Sequence, residues 1–138
     1  MTYPTRVQQF INGEFVADPQ ARRFDKRSPV TGEVIAQVAE ASAAEVAAAV
    51  LAARQALTGP WGRMSTEQRT AMLYAVADEI TRRFDDFVAA EEADTGQPNH
   101  VISHAFVPRG AANFKVFADI IKNVPAESFV MDTPDGAG

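Results

Sequence analysis

STEQRTAMLYAVADEITRRFDDFV, residues 65–88, is the stretch that decides the fold. Ser65 with Gln68 three residues on is a capping box, in which each side chain accepts from an orphan backbone amide of the other at a helix start. Behind it Leu73, Val76, Ile80, Phe84, Phe87 and Val88 recur at the spacings that line one face of an α-helix. The stretch predicts a long amphipathic helix. Asp85-Asp86 predicts a break in it and a cap on a shorter continuation. That continuation should end at Thr95-Gly96-Gln97-Pro98, because glycine suits a left-handed cap and proline cannot extend the helix.

Upstream, Ser42-Ala43-Ala44-Glu45 is another capping box, and Val46, Val50, Ala53 and Leu57 place an apolar stripe along a helix that Gly59-Pro60 stops. Trp61 is expected to plug a gap between these first two helices. Before them, Phe10-Ile11 and Phe15-Val16 flank Asn12-Gly13, a pair that tolerates positive φ and so predicts a tight β-hairpin. Phe24 to Arg27, the turn residues Ser28 to Gly32, and Val34 to Val38 predict a second hairpin. Downstream, Pro108 predicts a helix boundary, and Asn113, Phe114, Phe117, Ile120 and Ile121 define a face running to about Asn123. Ser128 to Met131 reads as a strand and Pro134-Asp135-Gly136 as its turn, with no strand after it to pair. The expectation is a polypeptide cut short.

Composition narrows the classes of function. The 138 residues are 46% hydrophobic and 22% charged, enough to build a packed core. A formal net charge of -5, with no cluster of cations, argues against nucleic acid as a partner. The longest apolar run, Val46 to Ala53, is far short of the roughly 20 residues of a membrane span. Met1 to Gln9 has no basic region followed by an apolar one, so the expected compartment is the cytoplasm. With no cysteine there is no thiolate ligand or cysteine nucleophile in these residues. His100 and His104 share a helix face, but a zinc site needs a further ligand, and they read as solvated or partly packed histidines. The acidic pairs Asp85-Asp86 and Glu91-Glu92 read as solvated helix faces. Gly136-Ala137-Gly138 has neither the helix nor the third glycine of a phosphate loop. Neither metal-binding nor cofactor-binding residues are expected here.

Particular residues in this order resemble the amino-terminal region of the NAD(P)-dependent aldehyde dehydrogenase superfamily. They are Phe10-Ile11-Asn12-Gly13-Glu14-Phe15-Val16, then Ser28-Pro29-Val30-Thr31-Gly32-Glu33-Val34-Ile35-Ala36-Gln37-Val38, the alanine-rich helix, Trp61, Arg69, and Glu92-Ala93-Asp94-Thr95-Gly96-Gln97-Pro98. Asparagine is usual in the family where Ser28 stands, and lysine is commoner at Gln97. Val107-Pro108-Arg109-Gly110-Ala111-Ala112-Asn113-Phe114-Lys115-Val116-Phe117-Ala118-Asp119 resembles the branch that oxidises 2-hydroxymuconic and aminomuconic semialdehydes, ring-cleavage products of aromatic catabolism.

The resemblance implies an α/β parent fold, of which this chain would be a mostly α-helical amino-terminal part: a β-hairpin region over 1–39, helices over 42–123, and the start of an oligomerisation strand over 127–138. It implies an NAD-dependent oxidoreductase that turns an aldehyde into a carboxylate through a cysteine thiolate, with a glutamate activating water for thioester hydrolysis. Both groups would lie beyond this chain, which should be inactive alone. The rest of the same polypeptide, the semialdehyde and a homodimer or homotetramer are the implied partners.

Within that branch, the arginine matching Arg109 binds the substrate's carboxylate, a task suited to a guanidinium that gives two parallel charge-assisted hydrogen bonds. The rival reading is a surface arginine near a helix start, where a cation gains nothing from the helix dipole. Two other functions compete: a branch acting on a neutral or amino aldehyde, and a self-contained helical binding module without catalysis. Because the amphipathic helices expect a sheet these residues do not supply, the chain expressed alone should be marginally stable or aggregation-prone. A sharp cooperative thermal transition from a monomer would contradict that.

Overall fold

The computed structural model describes residues 4–16 and 19–125. Both expected hairpins form. β2 (Gln9–Ile11) and β3 (Glu14–Val16) pair antiparallel around Asn12 and Gly13, whose φ values of 52° and 86° supply the two left-handed positions of a tight turn. β4 (Arg23–Arg27) pairs antiparallel with β5 (Val34–Ala39), with a register slip at Lys26/Arg27. An unanticipated strand, β1 (Arg6–Val7), joins β5 in parallel, giving the order β1-β5-β4. Along β5 the side chains of Ala36 and Ala39 are buried.

The helices begin where the capping boxes place them. α1 (Ala43–Thr58) starts at Ser42, whose hydroxyl accepts from the Glu45 amide while the Ser42 amide donates to Glu45. The Ser42 amide, and after it the Ser42 hydroxyl, donate to the Glu45 carboxylate and lower its pKa from the ordinary value. The short α2 (Pro60–Arg63) follows, and α3 (Thr66–Arg82) starts at Ser65 with its Gln68 box complete. The break after α3 falls at Arg83 (φ −101°, ψ 27°), not at the aspartate pair. α4 (Phe84–Thr95) therefore begins first, and Asp85 and Asp86 sit in its first turn, where a carboxylate is favoured by the helix dipole without having to cap it.

Gly96 ends α4 in the left-handed conformation, φ 67°. A Cβ there would stand 2.8 Å from Val30 Cγ2 and 2.9 Å from Pro29 Cγ, so the β4–β5 turn lies directly on this corner. Lys26 fastens the same place, donating to the Asp94 carbonyl at 2.8 Å and pairing with its carboxylate at 3.3 Å.

The expected boundary at Pro108 is absent. α5 (Asn99–Val101), a π-turn (Ile102–Phe106) and α6 (Val107–Asn123) run on as one helix with Pro108 inside it. The amide of Val107 bonds to Ile102 O five residues back, and this wider turn makes room for the pyrrolidine ring where the donor is missing. It also has a packing consequence. Positions five apart are about 140° out of phase on a regular α-helix, yet Ile102 and Val107 both enter one buried cluster with Val88, Ile80 and Phe84.

α3 and α6 form the most extensive helix pair. Thr70 and Ala77 on α3, and Ala111 and Ala118 on α6, are buried and small enough to bring the backbones close. Polar rungs flank that seam: Lys115 pairs with Asp78 at 2.9 Å, Tyr74 donates to Asp119, and Lys122 donates to the Tyr74 hydroxyl. The partners run in opposite directions along the two helices, so the pair is antiparallel. Elsewhere the apolar faces have no described cover: Val46, Val50 and Leu57 on α1 and Phe117, Ile120 and Ile121 on α6 are exposed. Trp61 does not plug a gap. It is 40% exposed, and the Arg69 guanidinium stands 5.6 Å from its ring centroid. Ser128 to Met131 and the turn after it lie outside the described residues.

Candidate functional site

Arg109 is held by a helix whose angular position is set on both sides. Ile102 fixes the turn before it, and Val107 and Ala111 fix the turn that carries it, all by burial. With those residues facing inward, Arg109 points outward on the exposed side of α6. Asn113, Val116 and Ile120 follow at spacings of four, three and four, so the same face carries a guanidinium and an amide at one end and apolar groups beyond.

The electrostatic setting of Arg109 differs from that of the other two cations on α6. Lys115 is paired with Asp78, and Lys122 lies 4.5 Å from the Tyr74 ring centroid. No described residue makes an ion pair or hydrogen bond with Arg109. Beside it, a Cβ on Gly110 would meet no atom within 4 Å apart from its chain neighbours and the backbone of its own helix, and Ala112 is small. A free guanidinium with open space around it can give a planar anion two parallel hydrogen bonds without first breaking another pair. Arg109 is some three turns from the true helix start, so the misfit of a cation with the helix dipole does not bear on it.

Two open grooves flank the contact between Ile80 and Val107. One, of about 400 Å³, is bordered by Phe84, Pro108, Ala112 and Lys115; the other, of about 250 Å³, by Phe87, Glu91, Phe106 and Gly110. Arg109 lines neither; its neighbours Pro108 and Gly110 edge one each. The histidines are not part of this arrangement. His104 Nδ1 lies 2.9 Å from the His100 carbonyl and 3.0 Å from Ser103 Oγ, and both rings are exposed. No group of three potential metal ligands occurs among the described residues, and none of their helices is long and apolar enough to cross a membrane. Asn113, counted from sequence as part of an apolar face, has no described hydrogen-bond partner for its amide; its spacing from Arg109 was the available signal.

Residues 15–137 match the aldehyde dehydrogenase family. The chain is 57% identical over 132 residues to a 2-hydroxymuconic semialdehyde dehydrogenase of Pseudomonas sp. (strain CF600), covering 96% of this chain and 27% of that protein. It is 42% identical over 132 residues to a 2-aminomuconic 6-semialdehyde dehydrogenase of Pseudomonas sp., covering 96% of this chain and 26% of that protein. Among solved structures, the NAD+ complex of an aldehyde dehydrogenase from Bacillus cereus superposes with a TM-score of 0.85 at 30% identity, over 92% of this chain and 26% of that one. The chain thus spans about a quarter of the length of the proteins it matches.

Proposed function

Since the chain belongs to the aldehyde dehydrogenase family, we propose that the whole polypeptide oxidises a carboxylate-bearing semialdehyde of the 2-hydroxymuconic type to the dicarboxylate, with NAD taking the hydride. The aldehyde carbon loses that hydride and gains an oxygen from water, and protons are released. The partners in this reading are the semialdehyde and the remainder of the same polypeptide. No glycine-rich loop opens a helix among the described residues, and none of them is assigned to NAD.

The observation that carries the substrate assignment is Arg109, an exposed guanidinium with no described partner, seated on a helix whose rotation is fixed by buried neighbours. Its task is to bind and orient. Two parallel bonds to the substrate's carboxylate fix the far end of the molecule, and the aldehyde then projects in one direction. The names of the two Pseudomonas relatives support this reading, since both specify muconic semialdehydes, which carry a carboxylate.

The test is substrate selectivity of the full-length enzyme, followed as NAD reduction. The expected result is a kcat/KM for 2-hydroxymuconic semialdehyde at least about tenfold above that for a neutral aldehyde of similar length, since one charge-assisted contact is worth about 1.5–3 kcal/mol. Equal values for the two substrates would reject the carboxylate assignment.

A further inference from the structure

Asn113 lies one helical turn beyond Arg109 on the same exposed face of α6, and side chains four apart on a helix are neighbours. Asparagine is a poor helix former, and here it stands in the middle of a seventeen-residue helix rather than at a cap. The other asparagines of the helical region have local work: Asn99 donates to the Glu92 carboxylate at 3.0 Å, and Asn123 donates to the Asp119 carbonyl at 2.7 Å. Asn113 has no such described bond, so nothing in the local backbone accounts for an amide there.

Its direction also matters. Side chains on a helix lean toward its amino-terminal end, so Asn113 leans over the turn that carries Arg109. A carboxylate has about four lone-pair sites, and a guanidinium bound in parallel takes two of them. A second donor one turn away suits a site left free.

We propose that Asn113 is a second specificity-determining residue, its side-chain amide donating to the same substrate carboxylate that Arg109 binds. This inference rests on the reading of Arg109 given above. Together the two residues form a guanidinium–amide clamp for a planar anion, with Val116 and Ile120 continuing the face as an apolar strip.

The test compares Asn113→Ala, Asn113→Asp and Arg109→Ala with the parent full-length enzyme, each with 2-hydroxymuconic semialdehyde and with a neutral aldehyde. Alanine is the better helix former, so Asn113→Ala leaves α6 intact. Expected for Asn113→Ala is a KM for the carboxylate substrate raised about tenfold, roughly the share of one hydrogen bond to a charged group, with kcat and the neutral aldehyde unchanged. Asn113→Asp should raise that KM further, because it sets one anion against another, and added salt should reduce the difference. Selective loss in Arg109→Ala with no selective loss in Asn113→Ala overturns the Asn113 assignment alone. Equal loss on both substrates in Arg109→Ala overturns the Arg109 reading, and the clamp with it.

Discussion

In the full-length enzyme, Arg109→Ala is expected to raise KM for a carboxylate-bearing semialdehyde about thirtyfold to a hundredfold, and to leave that for a neutral aldehyde within about twofold. Truncating one partner of a hydrogen-bonded charge pair costs about 2–5 kcal/mol, and 1.36 kcal/mol is a factor of ten. The low end applies because Arg109 is exposed on α6, where water competes for the anion. The fold should not suffer, since alanine favours the helix and no described ion pair is lost. Arg109→Lys should fall between parent and alanine variant: the charge remains, but the fork that grips both oxygens is gone. Steady-state kinetics on the two substrates is the measurement, and an equal rise in both would return Arg109 to an ordinary surface cation.

The second large effect concerns stability. Ile102→Ala should lower the unfolding free energy by about 2–5 kcal/mol, and Ile102→Val by about 0.5–1.5 kcal/mol. Ile102 is fully buried in the cluster with Val88 and Val107, with Ile80 and Phe84 packed against it, so truncation leaves a void that three helical segments would have to close. Denaturant midpoints of the full-length variants read the difference. If alanine cost no more than valine, Ile102 would not anchor this cluster.

Elements specified by short-range chemistry were legible in the sequence. Asn12-Gly13 makes the turn that its tolerance of positive φ predicts, and both serine boxes start their helices. Gly96 closes α4 with a left-handed residue as expected. What escaped depends on partners or on counting. β1 is only two residues long and pairs in parallel with β5 some thirty residues away, too short to carry an alternation pattern. The break at Arg83 involves neither glycine nor proline, so no local signal marks it. The π-turn leaves no mark in the sequence pattern, because a period of 3.6 residues does not bring Ile102 and Val107 together.

The candidate site was legible in a different way. Arg109 came from resemblance to a family, with the chemistry of guanidinium and carboxylate making the assignment reasonable. Nothing in its spacing pointed to a ligand. Asn113 falls on the face that Phe114 and Phe117 define, and apolar periodicity does not distinguish a polar residue that keeps the same period. The exposed faces of α1 and α6 read correctly as stripes, but a stripe identifies what a helix buries only when the covering element is also known.

One wide turn of backbone between Ile102 and Phe106 acts as a phase adjuster in the helix that carries Arg109. Without it, burying Ile102 and burying Val107 would be competing demands, and satisfying the first would swing everything downstream around the axis. The compass bearing of the guanidinium is therefore written in how many residues separate two aliphatic anchors, and not in any group that the guanidinium itself touches.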